Sequence, residues 1–200
     1  MKLIPTASQT IGPFFREGLT RPAWSDLTRD GVDGEPVRIE GTVRDGDGAP
    51  VPDALLEIWQ ADARGRYAHP EDEAPVAGER LFRGFGRACT DVDGRYWFRT
   101  IVPGAVPSGD STAPQGGGAA QAPHVNVSVF ARGLLKRVVT RIYFSDRDAE
   151  NASDPVLASI TDETARRTLI AARAEHEGGV PVYRFDVILQ GEGETAFFAI

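Results

Sequence analysis

Ala122-Pro-His-Val-Asn-Val-Ser-Val-Phe-Ala-Arg-Gly133 alternates: Val125, Val127, Val129 and Ala131 fall on one parity, and His124, Asn126, Ser128 and Phe130 on the other. A two-residue period is that of a half-buried β-strand. His124 and Asn126 therefore share a face, about 7 Å apart along the strand. A His-x-His pair at those places would offer two imidazoles to one metal. The second position is Asn126, a poor transition-metal ligand. The strand thus has the form of a metal-bearing strand with part of its ligand set missing.

Working outward, the same period recurs. Val37-Arg-Ile-Glu-Gly-Thr-Val43 alternates, Asp45-Gly-Asp-Gly48 turns, and Ala54-Leu-Leu-Glu-Ile-Trp59 follows as the next strand. Cys89-Thr-Asp-Val-Asp-Gly94 turns into a strand over Arg95–Ile101, and Val138–Phe144 follows the 122–133 strand around a turn at Gly133. Val182–Leu189 reads as a strand, Gln190–Gly193 as a turn, and Thr195–Ile200 as a last short strand. Helical signals fall on Pro155–Ser159 and on Asp162–Ala174, the latter with Thr161 as N-cap, acids in its first turn and Gly178-Gly179 as its stop. Pro103–Gln121, rich in Gly, Ala, Pro and Ser, is given no regular structure.

Short strands joined by Gly- and Asp-rich turns, with a helix only late in the chain, predict a mainly β fold: an antiparallel β-sandwich with long loops. No internal repeat and no linker between two cores is present, so residues 37–200 form one domain. Residues 1–36 form an arm in which Gly12-Pro13 interrupts regular structure, and Ile11, Phe14 and Phe15 need a surface to dock on. That surface is either the chain's own domain or a subunit contact.

The chain has 200 residues, 41% of them hydrophobic and 26% charged, as in ordinary soluble domains. Its 22 basic and 29 acidic residues leave a net charge of −7, which argues against a nucleic-acid-binding surface. The single cysteine, Cys89, permits no internal disulfide and points to a reducing, cytoplasmic compartment. No stretch has the apolar length of a signal peptide or a membrane span.

Glu57-Ile-Trp-Gln-Ala-Asp-Ala-Arg-Gly-Arg-Tyr67 resembles the Trp-Gln-Ala-x-x-x-Gly-x-Tyr signature of intradiol ring-cleaving dioxygenases. Further pieces fit in the same order: Thr90–Ile101, Pro103-Gly104, Ala122-Pro-His124, Thr140-Arg-Ile-Tyr-Phe144 and Tyr183-Arg-Phe-Asp186. Iron-bearing members hold a non-haem Fe(III) with two Tyr and two His. Matched position by position, the first Tyr is Tyr67 and the first His is His124, whereas the second Tyr falls on Val106 and the second His on Asn126. The resemblance therefore implies a vestigial site and no metal bound by this chain. The Ser8-Gln-Thr-Ile-Gly-Pro13 arm and the string Phe130-Ala-Arg-Gly133 are similar to the iron-free alpha subunits of heteromeric members. In those the beta subunit carries the Fe(III), and an aromatic acid and O2 meet at the interface of a larger αβ assembly. By that resemblance Thr10, Gly12 and Pro13 wall the partner's substrate cavity, and Arg132 stands at its mouth to attract and orient the acid. The resemblance further implies that the isolated chain has no catalytic residue of its own.

Read without the resemblance, the same residues have plainer roles. Tyr67 is a packed ring, His124 a structural donor or acceptor, Asn126 a hydrogen-bonded filler, and Arg132 a solvent-facing strand-end cation. Trp59 and Trp97 are assigned to the core, Arg141 to a structural role, Arg83, Arg87, Asp91 and Asp93 to turns and surface, and His69 and His176 to solvent. Two rival functions stay open. One is a non-enzymatic, transthyretin-like binding module. The other is a free-standing iron enzyme using Tyr67 and His124 with replacements such as Asp110 or Tyr143.

Overall fold

The alternation at residues 122–133 is realised in the computed structural model, which describes residues 4–28, 31–70, 82–107, 120–174 and 179–199. The chain enters through helix α1 (Pro13–Leu19) and a 3-10 turn (Pro22–Ser25). Strands β1 (Pro36–Arg44), β2 (Leu55–Gln60), β3 (Phe85–Cys89), β4 (Arg95–Ile101), β5 (His124–Phe130) and β6 (Val138–Phe144) follow. Three short helices, α2 (Asp148–Ser153), α3 (Pro155–Ser159) and α4 (Glu163–Arg167), lead to β7 (Ile170–Ala174), β8 (Val182–Arg184) and β9 (Val187–Ile188).

The strands form one continuous sheet in the order β3-β2-β5-β6-β7-β8-β1-β4, with β9 also beside β1. Pairing is mixed, which corrects the antiparallel sandwich expected from the sequence. β7 lies parallel to β6, and β8 and β9 lie parallel to β1. The three helices between β6 and β7 supply the crossover that a parallel pair requires, and the chain's last strands return alongside its first. The sheet curls until its two halves share one apolar cluster, with Val37, Ile39 and Phe98 from one side and Leu56, Ile58 and Val127 from the other. Each such side chain contributes roughly 1.5–3 kcal/mol by burial. Gln60 ties the halves polar-to-polar: its amide donates to the Ile101 carbonyl (3.0 Å) and its oxygen accepts from the Thr100 hydroxyl (2.6 Å). At Gly41 a Cβ would stand 1.8 Å from the Phe185 carbonyl oxygen, so only glycine lets the β8–β9 connection cross so close over β1.

Several further expectations change. The arm is not irregular over 13–19: Pro13 opens α1, a position where its missing N–H costs nothing. β3 was not anticipated. The helix expected over Asp162–Ala174 stops at Arg167, and Ile170–Ala174 is a strand, because pairing with β6 and β8 overrides the helical propensity of its alanines. Asp162, not Thr161, caps α4, accepting from Thr164 N–H at 2.8 Å. The strand over Val182–Leu189 is split into β8 and β9, and Thr195–Ile200 supplies only an isolated bridge from Phe198 to Val139 among the described residues. Trp59 and Trp97 are not core anchors: both sit on the outward parity and stay over a third exposed. Arg87 is no free surface charge, since its guanidinium is largely buried against Glu57. Gly178, His176 and Asp110 lie outside the described residues. Among those described, no helix is long and apolar enough to cross a membrane.

Candidate functional site

β5 presents His124 and Asn126 on the face that meets the loop after β2. That loop is shaped by Asp62, whose carboxyl accepts the N–H groups of Arg64 (2.8 Å) and Arg66 (3.0 Å). Gly65 has φ of 82°, and its Cβ would lie 2.0 Å from the Ala105 carbonyl oxygen, so a side chain there would push the 103–106 segment away. The result brings Tyr67 under Trp59, with ring centroids 6.2 Å apart and nearly stacked. Val106 is fixed by a two-bond bridge to Gln121, just ahead of β5.

Three of the four positions matched to family ligands meet in a directed chain of hydrogen bonds. His124 Nδ1 lies 2.7 Å from the Ala122 carbonyl, which can only accept, so Nδ1 carries the proton. Nε2 is then an acceptor and accepts a hydrogen bond from the Tyr67 hydroxyl at 3.3 Å. The Tyr67 oxygen in turn accepts from the Asn126 amide at 3.1 Å, and the same amide donates to the Trp59 carbonyl at 3.3 Å. Each neutral group is satisfied by the next.

His124 is buried, and burial is the main reason its pKa is pushed down to about 4; the nearby Arg141 guanidinium adds to this. The imidazole is thus neutral in the fold but protonates in the unfolded chain near its ordinary value of 6.5. Stability from this group is complete above pH 6.5 and is lost as pH falls towards 4, because the unfolded state then binds the extra proton. At about 1.4 kcal/mol per unit, up to roughly 3 kcal/mol disappears across that window. Denaturant titrations at pH 7 and pH 4.5 should show this loss in the parent chain and a flatter profile for His124→Gln.

Beside these residues, on the same face of neighbouring β6, lies a second network. Arg141, opposite Asn126 in the β5–β6 register, donates to Gln121 Oε1 at 2.7 Å and to the Tyr143 hydroxyl at 3.4 Å. The buried Asp154 carboxyl accepts from Tyr143 (3.2 Å) and from the N–H groups of Ala122 (2.7 Å), Val156 and Leu157 (2.8 Å each). Burial raises the Tyr143 hydroxyl to about 12, so it is a neutral hydrogen-bonding group. The sequence offered Tyr143 as a replacement ligand beside His124 and gave Arg141 a structural role, but no spacing connected Asp154 to that face. The one available sign was Asp154-Pro155, a helix-start pattern.

This donor set does not fit a ferric ion. Hard Fe(III) calls for anionic oxygen ligands, yet the Tyr67 hydroxyl donates to His124 and its oxygen is already engaged by the Asn126 amide. The Nε2 lone pair that would face a metal is engaged by that phenol, and Arg141 adds positive charge. Among the described residues no group of three or more His, Cys, Asp or Glu side chains is placed to hold a metal.

The residues assigned to the partner's cavity gather elsewhere, at the far end of β5. Gly133 N–H donates to Thr10 Oγ1 at 2.7 Å, and Phe15 packs on Phe130 with ring centroids 5.5 Å apart. Thr10, Gly12, Pro13 and Arg132 are all exposed, so this end of the chain offers its surface outward. A groove of about 240 Å³ runs between the arm and the β5–β6 turn, lined by Ile11, Phe15, Phe130 and Leu134. Arg132 lies 3.7 Å from the Asp53 carboxyl, which Arg16 grips at 2.6 Å. His69 is exposed, and its N–H donates to the Tyr67 carbonyl.

The family described as Dioxygenase matches residues 11–191. The protocatechuate 3,4-dioxygenase alpha chain of Pseudomonas putida is 40% identical over 99% of this chain and 98% of its own length. The protocatechuate 3,4-dioxygenase beta chain of Burkholderia cepacia is 38% identical over 87% of this chain and 74% of its own. Among solved structures, 3-chlorocatechol 1,2-dioxygenase of Rhodococcus opacus 1CP superposes with a TM-score of 0.63 at 26% identity, over 94% of this chain and 69% of that one.

Proposed function

The chain belongs to the intradiol ring-cleaving dioxygenase family, and on that premise we propose that it is the iron-free alpha subunit of a protocatechuate 3,4-dioxygenase. The complex inserts O2 between the hydroxyl-bearing carbons of 3,4-dihydroxybenzoate and releases 3-carboxy-cis,cis-muconate. The Fe(III) sits in a beta subunit. This chain supplies part of the cavity wall through Thr10, Gly12 and Pro13, with Arg132 at the mouth to draw in and orient the acid by a charge-assisted hydrogen bond. The observation that carries the reading is the Asn126–Tyr67–His124–Ala122 chain of hydrogen bonds. It closes the inherited metal site on itself while the likeness to alpha chains runs the full length of both proteins. The lone Cys89 supports assembly in a reducing cytoplasm.

Permanent heteromers of this kind bury over about 2,000 Å², and the exposed Phe14 and Leu135 flanking the arm groove suit such an interface. Purifying the chain alone and after co-expression with a beta-type relative tests the proposal. Alone, the chain should be colourless and inactive. Together, the two should co-elute as an iron-coloured complex that consumes 3,4-dihydroxybenzoate. A lone chain with stoichiometric iron and activity, or one that never recruits the beta subunit, would overturn it.

A further inference from the structure

We propose that Arg16 sets the affinity of the assembled enzyme for its anionic substrate by neutralising Asp53, which leaves the charge of Arg132 available. The inference rests on the assignment of Arg132 to the cavity mouth and adds a positioning residue that never touches the substrate.

Two guanidinium groups share one carboxyl group, unequally. Arg16 Nη1 lies 2.6 Å from Asp53 Oδ1, the distance of a short charge-assisted hydrogen bond. Arg132 Nη2 stands 3.7 Å from the other oxygen, Oδ2, too far for a hydrogen bond. Because Coulomb attraction falls with distance, Asp53 is chiefly the partner of Arg16, and the donors of Arg132 stay uncommitted. The three groups sum to one positive charge, carried by the member that is also the most exposed, at 56%.

The arrangement is held by the fold. Asp53 is the single non-glycine residue with positive φ (65°) among the described residues, a conformation that aspartate tolerates and that the turn before β2 imposes. Arg16 arrives on α1, which is fixed by Phe15 on Phe130 and by the Arg87 guanidinium donating to the Leu19 carbonyl. Arg132 is fixed through its neighbour Gly133, tied to Thr10 of the arm. Without Arg16, Asp53 would have Arg132 as its one cationic partner among the described residues, and the cation meant for the substrate would be spent on the protein.

The test uses the holoenzyme with its iron-bearing beta subunit. Steady-state kinetics on 3,4-dihydroxybenzoate are compared with inhibition by catechol, which lacks the carboxylate. Arg16→Gln should raise KM for the acid about two- to fivefold, the range of a part-exposed ion pair, while kcat and the catechol inhibition constant hold. The rise should shrink with added salt. Arg16→Lys should restore the parent KM, and Arg16→Gln should have no further effect when Asp53→Asn is already present. Equal weakening of acid and catechol, or a full effect in the Asp53→Asn background, would overturn the inference. If Arg132→Ala raises KM but Arg16→Gln does not, the charge-sharing inference fails and the Arg132 assignment stands. If Arg132→Ala also leaves KM unmoved, both fall.

Discussion

Asp154→Ala is expected to lower the unfolding free energy by about 3–5 kcal/mol, measured as a shift of the denaturant midpoint at neutral pH. The carboxyl group is fully buried and spans two elements. It caps α3 through the N–H groups of Val156 and Leu157, and across the fold it receives Ala122 N–H and the Tyr143 hydroxyl. Loss of the cap alone costs about 1 kcal/mol, and each buried donor stranded without an acceptor adds about 1–3 kcal/mol. The damage travels towards the candidate site, because Ala122 is the residue whose carbonyl fixes the His124 tautomer. Asp154→Asn should recover part of the loss, since its amide oxygen can still cap α3 while its amide nitrogen meets another donor. A change below 1 kcal/mol for Asp154→Ala would mean that the α3–β5 junction is held by something else.

What the sequence revealed and what it hid have physical explanations. β1, β4 and β5 were readable because each keeps one inward parity over seven residues or more, and β6 because a run of β-branched and aromatic residues follows the turn at Gly133. β3 is five residues long with a glycine at its second position, too short and too plain to carry a period. β7 is made of residues that favour helix and becomes a strand only because two neighbours already offer their edges. The misplacement of Trp59 and Trp97 came from judging by residue type. Strand parity puts Ile58 and Phe98 inward and their tryptophan neighbours outward. At the candidate site, His124 and Asn126 follow from parity and Tyr67 from its motif. The direction of the hydrogen-bond chain does not, because it depends on a carbonyl at Ala122 that only the fold brings within reach. Long-range pairs such as Arg16 with Asp53 have no spacing rule at all, being joined by the docking of a helix that the sequence presented as a broken arm.

Building the ferric ligand set that the proposed reading assigns to Tyr67, Val106, His124 and Asn126 should need a third change. Val106→Tyr with Asn126→His supplies a second phenol and a second imidazole and also removes the amide that donates to Tyr67. It leaves Arg141, whose guanidinium already disfavours a proton on His124 and would disfavour a trivalent cation more strongly. The double variant is therefore expected to take up Fe(III) only weakly, as followed by the visible absorbance of a phenolate–iron chromophore. Adding Arg141→Gln, which keeps an amide to meet Gln121, should tighten binding by about tenfold or more, because the opposing charge acts at short range in a poorly solvated site. The surrounding network makes this more than a ligand count. Tyr67 must give up the proton it donates to His124, and it must do so without the Asn126 amide, whose donation to the phenol oxygen would have favoured the phenolate. If the double variant binds iron as tightly as the triple, Arg141 is a bystander, and the side chains of Val106 and Asn126 alone account for the closed site.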